Sequence, residues 1–194
     1  IKVLHPLLTA TQEGNYNGTE GLSALPFQGI ILAHSNESEW QSFRNNKNNE
    51  AFLDRVFIVK VPYCLRVDEE VHIYEKLLRD STLSEAPCAP GTLGMMAQFS
   101  VLTRLKEPEN SSIYSKMRVY NGENLKDTDP KAKSIQEYQD YAGVDEGMSG
   151  ISTRFAFKIL SQVFNFDHQE VAENPAHLLY VLENQIAREQ LPPA

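Results

Sequence analysis

Cysteine is nearly absent: Cys64 and Cys88 stand alone in 194 residues, in no CxxC spacing and in no Cys/His cluster. Neither a disulfide framework nor a thiolate zinc site can therefore organise the fold, and a reducing cytoplasm is the expected compartment. Positive charge is short as well, with 18 Lys and Arg against 26 Asp and Glu, a formal net charge of -8 and a pI near 5.1. A chain with that field does not hold nucleic acid through its overall charge, so nucleic acid is not an expected partner. No apolar run approaches the roughly 18 residues that span a bilayer, and no secretory leader opens the sequence, so no membrane association is expected. An initiating Met is missing too; the chain begins at Ile1, and the expectation is an internal fragment of a longer protein. What remains suffices for one or two globular domains: 41% hydrophobic residues, 23% charged residues and no long low-complexity tract.

Residues 30–40 read IILAHSNESEW, a run apolar enough for a buried strand that stops at His34-Ser35-Asn36 and passes into an acidic helix start. A buried strand that delivers polar side chains at its C-terminal end is how open α/β sheets build binding sites. Residues 56–61, VFIVKV, form a second such run, ended by Pro62. The segment between the runs is long enough for a helical crossover, and both are too apolar to face water. Two parallel strands of one sheet are therefore expected at 29–33 and 56–61.

Ahead of them, Val3, Leu4, Leu7 and Leu8 mark a short one-sided helix ended by Gly14, and the turn-rich residues 15–21 predict a hairpin or an exposed loop. The polar Asn/Lys centre of residues 38–52 predicts two short helices rather than one. Beyond Pro62 the pattern turns helical, with helices expected over 67–78, 91–105, 152–163 and 175–189. The first places Asp68, Glu69 and Glu70 where the helix dipole favours acids; the last has Asn174 as cap and Pro175 in its first turn. Residues 107–150 are polar and read as a long insertion carrying at most short elements.

Three residues are candidates for chemistry. Asn36 follows an apolar run, where a carboxamide can orient a water or touch a phosphate; the alternative is that it caps the helix beginning near Ser38. Arg55 precedes the second run, and alone it reads as readily as a surface or salt-bridged arginine. Arg154 falls in the first turn of a helix, after Ser152 and Thr153, where a cation opposes the dipole. Such a broken local rule sometimes marks function.

The order of short motifs carries a resemblance. Leu7-Leu8 through Gln12-Glu13-Gly14, then residues 30–36, resemble the helix, hairpin and sensor 1 strand of AAA+ ATPases of the NtrC and MoxR kind. AFLDRVF with VPY resembles that group's arginine-finger segment, and GISTR the start of its sensor 2 helix. Where NtrC-type proteins carry a further arginine ahead of the one matched by Arg55, this chain has Asn49. More closely, LAHSNESEW, FRNNKNNEAFLDR, VPYCLRV, RLKEPENSS, ENLKDTDPKAKS, YAGVDEG and STRFAFKIL are similar to the PrkA-type bacterial serine protein kinases, over essentially the whole chain.

The resemblance implies an α/β fold followed by a mainly α part: the C-terminal part of a P-loop AAA+ core, two parallel strands plus a hairpin, with a helical lid. It implies residues 1–62 as the remainder of the core, 63–170 as the lid with insertion 107–150, and 171–194 as the start of a following helical region. ATP and Mg2+ are the implied cofactors, protein substrates and a homo-oligomer the implied partners. Asn36 would place the attacking oxygen, Arg154 would sense the γ-phosphate, and Arg55 would reach a neighbouring subunit's nucleotide. The chain itself holds no GxxxxGK[ST] phosphate loop, no Gly-rich kinase loop, and no HRD or DFG motif, so it is expected to be inactive by itself. A regulatory or oligomerisation module of an AAA+ protein, without kinase chemistry, is the alternative.

Overall fold

The computed structural model describes residues 5–16, 23–165 and 172–189, and the chain divides into two compact units, Ile1–Val59 and Lys60–Ala194. In the first unit α1 (His5–Glu13) ends at Gly14, whose φ of 66° suits glycine. Its expected opening turn at Val3 and Leu4 lies outside the described residues. The chain continues into β1 (Asn15–Tyr16), paired antiparallel with β2 (Leu25–Pro26), and Phe27 N donates to Gly14 O at 2.6 Å to add a rung. The intervening residues 17–22, most of the expected hairpin turn, lie outside the described residues.

The Asn/Lys centre does break the next helix, into α2 (Glu37–Arg44), a 3-10 turn at Lys47–Asn49, and α3 (Glu50–Leu53). Asn46 caps the turn through Asn48 N, and the buried Asn49 donates to Phe43 O at 2.8 Å. These short carboxamides bond to nearby backbone better than they tolerate a helix interior. Stacked Trp40 and Phe43, 5.9 Å apart, and an edge-on Phe43–Phe52 pair at 5.4 Å fill the small core.

The two apolar runs do not form the expected parallel strands. Residues 29–33 and 56–61 have no ladder partner among the described residues, where the one sheet is β1–β2. Ile30 is 89% exposed, Leu32 and Phe57 92%, and Val61 79%. Apolarity and β-branching say that a segment suits a buried strand; the strand exists only if another chain segment supplies the hydrogen bonds.

The second unit is a helical bundle of α4 (Val67–Arg79), α5 (Thr92–Arg104), α6 (Ile113–Tyr120), α7 (Ile135–Ala142), α8 (Thr153–Val163) and α9 (Pro175–Glu189). The helix α5 lies at its centre, packed against α4, α6, α8 and α9. Its Met96, Ala97 and Val101 are fully buried, with Tyr74 of α4, Ala156, Ile159, Leu160 and Val163 of α8, and Leu178 of α9. Local signals set the helix starts: Ser112, Ser134, Ser152 and Asn174 each accept a backbone N–H of the following turn. Ser134 and Glu137 close a full capping box. No helix among the described residues is long and apolar enough to cross a membrane.

Residues 107–150 hold the short helices α6 and α7, but these are built into the core. Met117, Leu125 and Tyr138 are buried, and so is the charged Lys116. The low apolar content misleads because the buried residues of α6 include Ser115 and Lys116, which composition counts as surface.

Candidate functional site

Asn36 is the N-cap of α2. Its backbone is extended, and its Oδ1 accepts from Glu39 N at 2.8 Å and from Ser38 Oγ at 3.0 Å. The capping role is therefore present, and it occupies one end of the carboxamide. The side chain is exposed, and its Nδ2 donates to no described residue. Arg55, also exposed, lies just after α3 and donates from Nη1 to Ala51 O. With the Gln12 carboxamide oxygen turned toward it, Arg55 Nε also donates to that oxygen at 2.7 Å. No hydrogen bond joins Asn36 to Arg55 among the described residues. Asn49, the position at which the resemblance to NtrC-type ATPases led to an expected further arginine, is buried and donates to Phe43 O.

Arg154 belongs to the second unit and sits at the exposed start of α8. It forms no ion pair with a described residue, while everything immediately before it is fixed. Ser152 Oγ caps the helix by accepting Phe155 N at 3.2 Å. Ile151 N donates to Thr103 Oγ1 at 3.0 Å, and Thr153 Oγ1 donates to Glu70 Oε1 at 3.3 Å. Gly150 has a φ of 94°, and a Cβ there would lie 2.3 Å from Thr103 O. Only glycine permits this approach of two backbones.

Beneath this helix start is a fully buried ion pair. Arg104 Nη2 donates to Glu70 Oε1 at 2.7 Å, both side chains 0% exposed. The same guanidinium donates from Nε to Ile151 O and from Nη1 to Cys64 O, each at 2.8 Å, and lies 5.1 Å from the centre of the Tyr63 ring. One side chain thus joins α4, α5, the residues ahead of α8, and the segment that enters the unit. That segment is itself pinned, by Tyr63 N to Gly147 O at 2.9 Å and by a Lys60–Asp145 ion pair of 2.8 Å. Alongside, Tyr74 Oη donates to Ser100 Oγ at 2.9 Å. Burial, reinforced by the Glu70 carboxylate, pushes the Tyr74 phenol well above its ordinary range.

A second buried charge sits where α6 and α7 meet. Lys116 Nζ lies 2.7 Å from Glu146 Oε1, out of line for a hydrogen bond, and donates to Lys106 O at 2.9 Å. It also lies 5.7 Å and 5.8 Å from the ring centres of Tyr120 and Tyr138. Burial, with Glu146 nearby, pushes the Tyr120 phenol up to about 12. Neither buried pair is foreseen from sequence, because Glu70 and Arg104 are 34 positions apart and each looks like a solvated helix charge. The only local hint is that Glu70 lies on the same stripe as Val67 and Tyr74.

Among the described residues no group of three or more His, Cys, Asp or Glu could hold a metal ion. The chemistry the described residues do offer is an exposed guanidinium on a rigid mount, suited to an anion, and an exposed amide donor at the start of α2.

Residues 1–112 match the PrkA AAA domain, and residues 114–193 match the PrkA serine protein kinase C-terminal domain. An AAA module followed by that second domain defines the class. Within it, the chain belongs to the PrkA family. It is 82% identical over 192 residues to the serine/threonine kinase YeaG of Escherichia coli K12, covering 99% of this chain and 30% of that protein. It is 42% identical over 167 residues to the ATP-dependent protease PrkA of Bacillus subtilis, covering 82% of this chain and 25% of that protein. The chain thus spans less than a third of the length of these curated relatives. No solved structure matches it.

Proposed function

We propose that this chain joins the rear of the ATP-handling module of an ATP-dependent serine protein kinase, with its helical lid, to the start of the C-terminal region that follows it, and that Arg154 is a nucleotide-binding residue. The observation that carries the reading is the mounting of Arg154: an exposed cation, set against the helix dipole, on a helix start fixed by Gly150, Ile151 and Thr153. A cation so placed costs stability unless an anion arrives. Phosphoryl transfer needs positive groups around the γ-phosphate and a polar group to place the attacking oxygen, since positioning and electrostatics supply most of the catalysis. Arg154 supplies the first, in cis; Asn36 supplies the second through the amide end left over from capping; Arg55 acts on a neighbouring subunit's nucleotide in a homo-oligomer. The runs at 29–33 and 56–61 pair as parallel strands once the rest of the AAA core is present, which fits their exposed apolar side chains. Mg2+ enters with ATP and is held by residues other than those described.

The relatives' names separate two outputs, and the intact protein can be made to choose between them. With ATP and candidate substrates, the reading predicts transfer of the terminal phosphate to serine, lost together with ATP affinity in Arg154→Ala. ATP-dependent peptide cleavage without phosphoserine would replace the kinase assignment and leave the ATP-handling part standing. The exposed apolar runs also favour a second reading, an interaction module without nucleotide chemistry. It predicts that the intact protein's ATP affinity is indifferent to Arg154→Ala.

A further inference from the structure

We propose that Arg104 is a positioning residue for Arg154: buried itself, it fixes the chain direction at Ile151 and so aims the guanidinium three residues on. The inference rests on the reading of Arg154 given above and adds the residue that makes it work. Arg104 is 1% exposed and cannot touch a nucleotide. Each of its three nitrogens donates one hydrogen bond, to Ile151 O, Cys64 O and Glu70 Oε1, at 2.7 to 2.8 Å. Glu70 Oε1 in turn accepts from Thr153 Oγ1, so the network holds the backbone on one side of Ser152 and a side chain on the other.

A stability role alone does not account for the pair. Burying two charges costs about as much as their attraction returns, and an apolar pair of the same volume is commonly as stable. An apolar pair cannot bind two backbone carbonyls in fixed directions. The Arg104 fork does so, with the Tyr63 ring centre 5.1 Å from its guanidinium carbon. The arrangement is that of a second layer locking an exposed group whose position must not drift, and displacement by about 1 Å at a reacting phosphate can cost a hundredfold.

The test is a double-substitution cycle in the intact protein, using Arg104→Lys, Arg154→Ala and both together. Lys keeps the charge opposite Glu70 and loses the fork. ATP affinity, by titration with a fluorescent ATP analogue, and steady-state ATP turnover are read with the melting temperature of each protein. Arg104→Lys is expected to weaken ATP affinity and turnover roughly ten- to hundredfold. In the Arg154→Ala background it is expected to change neither further. Equal losses in both backgrounds, or no loss in either, overturn the proposal, since a merely structural residue lowers activity whether Arg154 is there or not. An Arg154→Ala protein with unchanged ATP affinity and turnover removes the reading of Arg154 itself, and this proposal with it; that outcome needs no Arg104 variant to be seen. Should Arg104→Lys not fold, Thr153→Val decides. It keeps the shape of a half-buried side chain and deletes only the hydroxyl bonded to Glu70. Weaker ATP binding that disappears without Arg154 supports the proposal, and unchanged or additive binding overturns it.

Discussion

Asn36 caps α2 with the oxygen of its carboxamide and, on the proposed reading, serves a reaction with the amide end. Its oxygen caps α2, so Asn36→Ala should cost about 1 kcal/mol of stability. Its amide donor, if it places the attacking oxygen, should lower turnover by a further equivalent of about 2 to 4 kcal/mol while ATP binding is spared. Asn36→Asp keeps the capping oxygen and removes the donor, so stability should return and turnover should not; full turnover in the aspartate variant would leave only the cap. The same scale carries a pH prediction. The Tyr120 pKa is raised from 10.0 to about 12, chiefly by burial, so its contribution to stability is complete below pH 10 and is lost as pH rises toward 12. Tyr74 moves in the same direction. These two tyrosines should resist ionisation in a spectroscopic titration and then ionise as the chain unfolds. A titration already complete near pH 10 would contradict the burial. The caps at Asn36 and Asn174 were legible in sequence because a cap bonds within three residues of itself, whereas Ser152 reads as the first residue of its helix. The Arg104–Glu70 pair was not legible, since nothing local distinguishes a charge that will be buried from one that will be solvated.

The helices were legible for the same reason of locality: a 3.6-residue apolar period marks α4, α8 and α9 without knowledge of partners. Strands depend on a partner, and VFIVKV at 56–61 is as apolar as a buried strand while lacking any ladder. The α6 and α7 region escaped because its buried face includes Lys116 and Glu146, which composition counts as surface. Two element-level outcomes follow. Gly150→Ala forces a side chain into Thr103 O at a φ of 94°, so it should destabilise the second unit by about 2 to 4 kcal/mol in chemical denaturation. A change below 1 kcal/mol would mean that α8 can shift away from α5. In the α7 capping box, the Ser134 hydroxyl and then its backbone N–H hold the Glu137 carboxyl below its usual 4.5. That support is present above pH 4.5 and lost as pH falls through the lower folded value, so amide protection at the start of α7 should fade on acidification and be acid-insensitive in Glu137→Gln.

At the scale of the whole molecule, the second unit carries a charged network in which Arg104 ties Cys64, near the unit's beginning, to Ile151 ahead of α8. The first unit displays apolar side chains at Ile30, Leu32 and Phe57. The 194-residue chain should therefore self-associate, and Phe57→Lys should shift its sedimentation toward monomer without lowering its melting temperature; unchanged association would mean that the runs are not the contact. The central claim concerns Arg154, and it predicts a distinction between nucleotides. In the intact protein, ATP and ADP affinities should be measured side by side before and after Arg154→Ala. A guanidinium that meets the γ-phosphate should lose ATP affinity roughly tenfold or more and leave ADP affinity nearly unchanged, at about 1.5 to 3 kcal/mol for a charge-assisted hydrogen bond. Equal affinities for ATP before and after the substitution would contradict the account.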